Sequence, residues 1–184
     1  GSAHKLYGPK GAGVLYQRAG VSCPRFIDGG GQERGQRGGT LNVPAVVGFG
    51  AAAKLARERQ HDDATRWRAL QDTFESALQT RFSDARINGC EAKRLPQTTN
   101  ITLPGTNAER LVQALRTVSC ATGSACASTD PKPSHVLTAM GHTPAEAHAS
   151  LRFSAGRATT EADLLHAVDA LQQARPQARA AHPA

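Results

Sequence analysis

The stretch Ser150–Asp163, SLRFSAGRATTEAD, sets a short apolar run against a helix start, with a glycine break between them. Ser150–Ser154 reads as a strand. Thr160, followed three residues later by Asp163, resembles a capping box opening a helix over 160–174. Working outward, similar short runs around Ile87, over Thr98–Leu103 and over Val118–Ala121 read as strands, interleaved with helices near 107–117 and 133–140. That alternation argues for an α+β or α/β unit with one small sheet. The closing RPQARAAHPA reads as a frayed tail.

Upstream, a long helical region begins at Pro44. Asn42 serves as its cap and Pro44 sits in its first turn, followed by an Ala-rich face through Ala53 and Leu55 toward Arg59. A break is expected near His61–Asp63. A second helix follows, in which Trp67, Leu70, Phe74 and Leu78 recur at helical spacing as core positions. Before Pro44 come SAHKLYGPKGAGVLYQR, with a Gly-Pro turn ahead of a strand over Ala12–Tyr16, and DGGGQERGQRGGTLN, Asp28–Asn42. The latter holds six glycines and both signs of charge, so its backbone must take up positive φ or approach something closely. It matches no Walker pattern. No internal repeat is present, and a boundary is placed within the long helix after Pro44.

Bulk properties narrow the function. At 184 residues, with 39% hydrophobic but only 4% aromatic side chains, the core must be aliphatic and alanine-rich, which suits close-packed helices. Lys and Arg exceed Asp and Glu to give a net charge of +7. The arginines are scattered along helical stretches and few aromatics are available to stack on bases, so a basic surface explains the charge better than nucleic-acid binding does. No apolar run reaches the length of a membrane span. Cys23, Cys90, Cys120 and Cys126 form no C-x-x-C pair and have no histidine at finger-like spacing, which argues against a structural metal. Their spacing without secretory signals suits a reducing, cytoplasmic compartment better than a disulfide framework.

Three residues invite chemistry. Lys5, beside a tight turn, could form a Schiff base and shuttle protons, although a lysine beside a glycine turn is commonly a solvated charge. Arg152 stands in the middle of a short apolar strand, a costly place unless its planar fork meets a carboxylate; the alternative is an edge arginine facing water. Cys126, in TGSACAS, sits among Gly, Ser and Ala that leave a thiol accessible, whereas Cys120 ends the apolar run TVSC and suits a buried, inert side chain.

The segments SAHKLYGPKGAGVLY, GGGQERGQRGGTLN, ATGSACAS and LRFSAGRATTEAD, in this order and spacing, resemble the C-terminal half of a NifS/IscS-type cysteine desulfurase, a fold-type-I pyridoxal-phosphate enzyme of the class V aminotransferases. The resemblance implies an α/β fold class: residues 1–43 as a remnant of the large cofactor domain, and 44–184 as an interdomain helix with an α+β small domain. It further implies that Lys5 is the Schiff-base lysine and that Ser2 and His4 hold the phosphate of pyridoxal 5'-phosphate. Thr40 would reach the phosphate in a neighbouring subunit of a homodimer. Arg152 would grip the carboxylate of L-cysteine, and Cys126 would take the sulfur as a persulfide and pass it to an acceptor or scaffold protein. In that family, residues that would precede Lys5 supply much of the cofactor's seat.

The implied reaction turns L-cysteine into L-alanine. Two rivals accompany it: a selenocysteine lyase-like enzyme, and a non-catalytic module that docks a sulfur acceptor. No metal, nucleic acid or membrane is expected.

Overall fold

The computed structural model describes residues 1–122 and 133–179. The chain divides into two compact units, Gly1–His61 and Asp62–Ala184. The division falls inside a single helix, α1, Val43–Arg81.

The expected break at His61–Asp63 does not occur: α1 runs uninterrupted for 39 residues. His, Asp and Asp are mediocre helix formers, but none removes a hydrogen bond as proline does, and tertiary packing outweighs a weak propensity. At its start, Asn42 Oδ1 accepts from the Ala45 amide at 3.3 Å, the cap the sequence suggests.

The first unit buries only small side chains, Ala3, Ala45 and Ala52, while Tyr16 and Phe26 stand almost fully exposed. Its N-terminal segment makes a 3-10 turn, Ala3–Leu6, which Tyr7 closes at φ 63°. The strand expected over Ala12–Tyr16 is instead one isolated antiparallel pairing, Ser2 with Gly13. The glycine-rich loop needs glycine at position 38. A Cβ there would lie 2.5 Å from the Asp28 carbonyl oxygen, because the loop folds back so that the Gly38 amide donates to Ile27 at 2.8 Å.

The second unit carries the larger core. Its sheet has three antiparallel strands in sequence order: β1, Arg86–Ile87; β2, Thr98–Thr102; and β3, Ser150–Ser154. Helices α2 (Ala108–Ala114), α3 (His135–Ala139), α4 (Pro144–His148) and α5 (Glu161–Ala174) complete it. One sheet face presents Ile87, Ile101, Leu151 and Phe153 to Phe74 and Leu78 of α1 and to Val168 and Leu171 of α5. Phe74 and Phe153 meet edge-to-face with centroids 5.3 Å apart. Thr160 opens α5 with the expected capping box, accepting from the Asp163 amide while the Asp163 carboxylate accepts from the Thr160 amide.

Two further readings are corrected. The run Val118–Ala121 forms no strand, only a single pairing of Ala121 with Arg152. The C-terminal tail is not frayed through Arg179: Arg175–Ala178 make a 3-10 turn, Ala178 is fully buried, and Arg179 pairs with Thr106. Arg175 holds that turn with a two-pronged ion pair to Asp84, at 2.8 and 2.5 Å, and lies over the Phe82 ring.

Candidate active site

In the first unit, Ser2, His4 and Lys5 share one turn. Buried Ala3 anchors it, donating from its amide to the Ala12 carbonyl at 3.0 Å and accepting from Gly8 at 2.9 Å. With Ala3 turned inward, His4 and Lys5 are exposed and Ser2 is half-buried. Lys5 forms no ion pair among the described residues. A hydroxyl, an imidazole and an amine within one turn are a donor set that fits a phosphate and an aldehyde carbon. Thr40 is also exposed, just after Gly39 at φ 94° and two residues before the α1 cap.

In the second unit, Arg152 projects from the centre of β3 and is exposed, without a hydrogen bond or ion pair from its side chain among the described residues. Its backbone is committed on both sides. Asn100 of β2 is its cross-strand partner, while Arg152 N–H donates to the Ala121 carbonyl at 2.7 Å and Ala121 N–H donates to the Arg152 carbonyl at 3.1 Å. Since both Arg152 backbone groups turn toward Ala121, the Asn100–Arg152 pair is the non-hydrogen-bonded kind, whose side chains stand closest.

Cys126 lies outside the described residues. Cys120, just before Ala121, packs half-buried against the core, and burial pushes its thiol up to about 11. That holds it in the unreactive protonated form at neutral pH.

What sequence reasoning missed is the polar face of the sheet. Asn88 continues β1 by donating its amide proton to the Asn100 carbonyl at 2.8 Å, so Asn88, Asn100, Arg152 and Ala121 stand in one row across the sheet. Beside them Asn88, Thr102 and Ser150 are buried and share hydrogen bonds. The signal was available: in TTNIT, Asn100 and Thr102 alternate with Ile101, the pattern of a strand whose second face is also engaged.

Two other features lie apart from the candidate residues. A cleft of about 410 Å³ opens where Thr117–Ser119 diverges from β3, between Phe74, Val118, Phe153 and His166, and none of Lys5, Thr40 or Arg152 lines it. Among the described residues, no group of His, Cys, Asp and Glu could hold a metal, and no helix is long and apolar enough to cross a membrane.

Comparison with known proteins gives these features a context. The aminotransferase class-V family matches residues 1–166. The chain is 46% identical over 178 residues to a cysteine desulfurase of Frankia sp. (strain EuIK1), covering 94% of this chain and 42% of the relative. Among solved structures, a NifS-like protein superposes with a TM-score of 0.81 at 32% identity, over 94% of this chain and 44% of that one. A structure described as SspA in complex with cysteine superposes at 0.56 and 33% identity, over 83% of this chain and 42% of that one. The chain thus spans less than half the length of the proteins it matches. A family match running from the turn of Lys5 past the strand of Arg152 leaves one conclusion: this chain belongs to the class-V aminotransferase family.

Proposed function

We propose that the chain is the part of a pyridoxal-phosphate-dependent cysteine desulfurase that carries its Schiff-base lysine, its carboxylate-binding arginine and its acceptor thiol. Residues 1–43 are its share of the cofactor domain and 44–184 the interdomain helix and small domain. The net reaction transfers the sulfur of L-cysteine to the Cys126 thiol. The substrate's carbon–sulfur bond breaks, a sulfur–sulfur bond forms at Cys126 Sγ, and the substrate carbon takes a proton to become L-alanine. Pyridoxal phosphate, when bound, supplies an electron sink for the negative charge that develops on the substrate carbon.

The remaining roles belong to side chains of this chain. Ser2 and His4 would donate hydrogen bonds to the cofactor's phosphate, Lys5 Nζ would hold its aldehyde carbon and move protons at the substrate carbon, and Thr40 would serve the phosphate held by a second subunit of a homodimer. Arg152 orients the substrate through its carboxylate, and the persulfide passes to an acceptor or scaffold protein in the cytoplasm.

The observation that carries this reading is the two-bond pairing of Ala121 with Arg152. It sets Ala121, five positions before Cys126 in the sequence, against the arginine that would hold the substrate. The cysteine bound in the SspA structure supports the same substrate.

The test joins this chain to the remainder of the Frankia relative, supplies pyridoxal phosphate and L-cysteine, and follows alanine release and peptide mass. One extra sulfur on the Cys126 peptide, abolished in Cys126→Ala, is expected. Arg152→Lys should raise KM for cysteine strongly, because an ammonium cannot match the two parallel bonds of a guanidinium. Sulfur on Cys120, or unchanged KM in Arg152→Lys, overturns the assignment.

A further inference from the structure

The hydrogen bonds of the polar sheet face run from the Glu146 carbonyl to Asn100, the cross-strand neighbour of Arg152. Ser150 Oγ donates to the Glu146 carbonyl at 2.7 Å, and a carbonyl can only accept, so this bond consumes the one hydroxyl proton of Ser150. Thr102 Oγ1 lies 2.8 Å from Ser150 Oγ. Thr102 Oγ1 also lies 3.1 Å from Asn88 Oδ1, so its one proton has two acceptors, Ser150 Oγ and Asn88 Oδ1. The Thr102 lone pairs accept from Asn88 Nδ2 at 2.9 Å. The second proton of Asn88 Nδ2 goes to Asn100 Oδ1 at 2.6 Å. Both Nδ2 protons of Asn88 are thereby spent, and the amide oxygen of Asn100 is the atom that faces Asn88.

The consequence falls on Asn100. Its oxygen is held toward Asn88, which leaves its Nδ2 and both N–H donors on the other branch, without a hydrogen-bond partner among the described residues. The burial gradient runs the same way. Asn88, Thr102 and Ser150 are buried, Asn100 is half-buried, and Arg152, its closest cross-strand neighbour, is exposed. A donor amide fixed beside an unpaired guanidinium is a composite anion site, and together they can bond both oxygens of one carboxylate.

We propose that Asn100 is a second carboxylate-binding residue, set opposite Arg152 by the strand pairing and with its oxygen held on the other side by the Asn88 amide. This rests on Arg152 being the carboxylate-binding arginine. The ligand class is an α-amino acid, recognised through its carboxylate by one neutral and one cationic donor.

The test is a titration of the 15N-labelled 184-residue chain with L-alanine, the unreactive product, and with L-alaninamide, which lacks the carboxylate. It follows the Asn100 side-chain amide and the Arg152 Nε–H at up to about 100 mM, well above a millimolar dissociation constant. Both signals should shift with L-alanine and neither with L-alaninamide. Asn100→Asp keeps the acceptor that Asn88 needs, removes the donors and adds a charge that repels the ligand, so it should weaken the Arg152 response by more than the roughly tenfold of one hydrogen bond. An Arg152 shift with a silent Asn100 amide, or an unweakened Arg152 response in Asn100→Asp, overturns the proposal and leaves the arginine assignment standing. If neither signal moves, the arginine assignment falls and this one with it. Should Asn100→Asp fail to fold, the wild-type amide signals alone decide.

Discussion

The two faces of the small sheet are built on opposite physics. The inner face, Ile87, Ile101, Leu151 and Phe153, packs against Phe74, Leu78, Val168 and Leu171 and is held by apolar burial. The outer face, Asn88, Asn100, Thr102, Ser150 and Arg152, is held by directed hydrogen bonds and grades from buried to exposed. A core of hydrocarbon fixes where the strands lie but not which way an amide points. The polar face supplies that second kind of information, and it does so next to the residue proposed to meet substrate.

The contrast can be broken most forcefully from the inner face. Leu151 is fully buried, so Leu151→Ala should cost about 2–5 kcal/mol by lost transfer energy and cavity formation. Chemical denaturation would show this as a lower midpoint with little change in slope. A loss below 1 kcal/mol, on the order of that for an exposed side chain, would mean the face collapses around the deletion.

On the outer face, Asn88→Ala strands Thr102 and the Asn100 oxygen and should cost about 1–3 kcal/mol. Its distinguishing effect is elsewhere: the Asn100 side-chain amide should broaden or double in an NMR spectrum as its orientation is released. A sharp, unmoved Asn100 signal would show that Asn88 does not order it.

A smaller, pH-dependent effect belongs to the helix over the outer face. Glu146 accepts from the Thr143 amide and hydroxyl, at 2.8 and 3.0 Å, and pairs with Arg86; these partners hold its carboxyl at about 2 rather than the ordinary 4.5. Because the folded-state value is depressed, its stabilisation is complete above the ordinary carboxylate range and is lost as pH falls toward 2. Thr143→Ala should move the Glu146 titration back upward, and carboxyl carbon shifts followed against pH would show it. An unmoved titration would assign the depression to the Thr143 backbone amide and Arg86, which the substitution leaves in place.

The smallest effect is kinetic. Cys23 and Cys90 are exposed, whereas burial raises the Cys120 thiol to about 11, so its thiolate amounts to about one part in a thousand at pH 8. A limiting alkylating reagent should label Cys23 and Cys90 well before Cys120, and equal labelling rates would contradict the burial of that thiol.

How far the sequence carried these conclusions varies by residue type. Ser150–Ser154 was legible to the residue, and so was the Thr160 cap, because each is decided by neighbours a few positions away. The continuity of α1 through His61–Asp63 was not legible, since local propensity there is weak and packing elsewhere along the helix decides. Val118–Ala121 looked like a strand on composition, but pairing depends on a partner's path, and the segment leaves β3 after one residue. Helix α4 was missed although Thr143, Pro144 and Glu146 spell a capping box with proline at its start; five residues are too few for a periodic signal. Of the candidate site, Lys5, Arg152 and Cys126 were legible through motif resemblance, with their roles carried forward as proposals. Asn100 was not, because its significance lies in three other side chains distant in sequence.

The pairing of Ala121 with Arg152 also makes the protein its own clock. Two amide protons close that contact, one from each partner, and nothing else in the strand pattern depends on it. Phe153, next along β3, pairs with Thr99 on the opposite side and stays closed when the contact parts. Deuterium uptake at the Arg152 amide, divided by uptake at Phe153, therefore times each opening of the Ala121–Arg152 pair, free of dye, label or turnover. A ligand that bridges Ala121 and Arg152 would slow that clock, and a partner that parts them would quicken it.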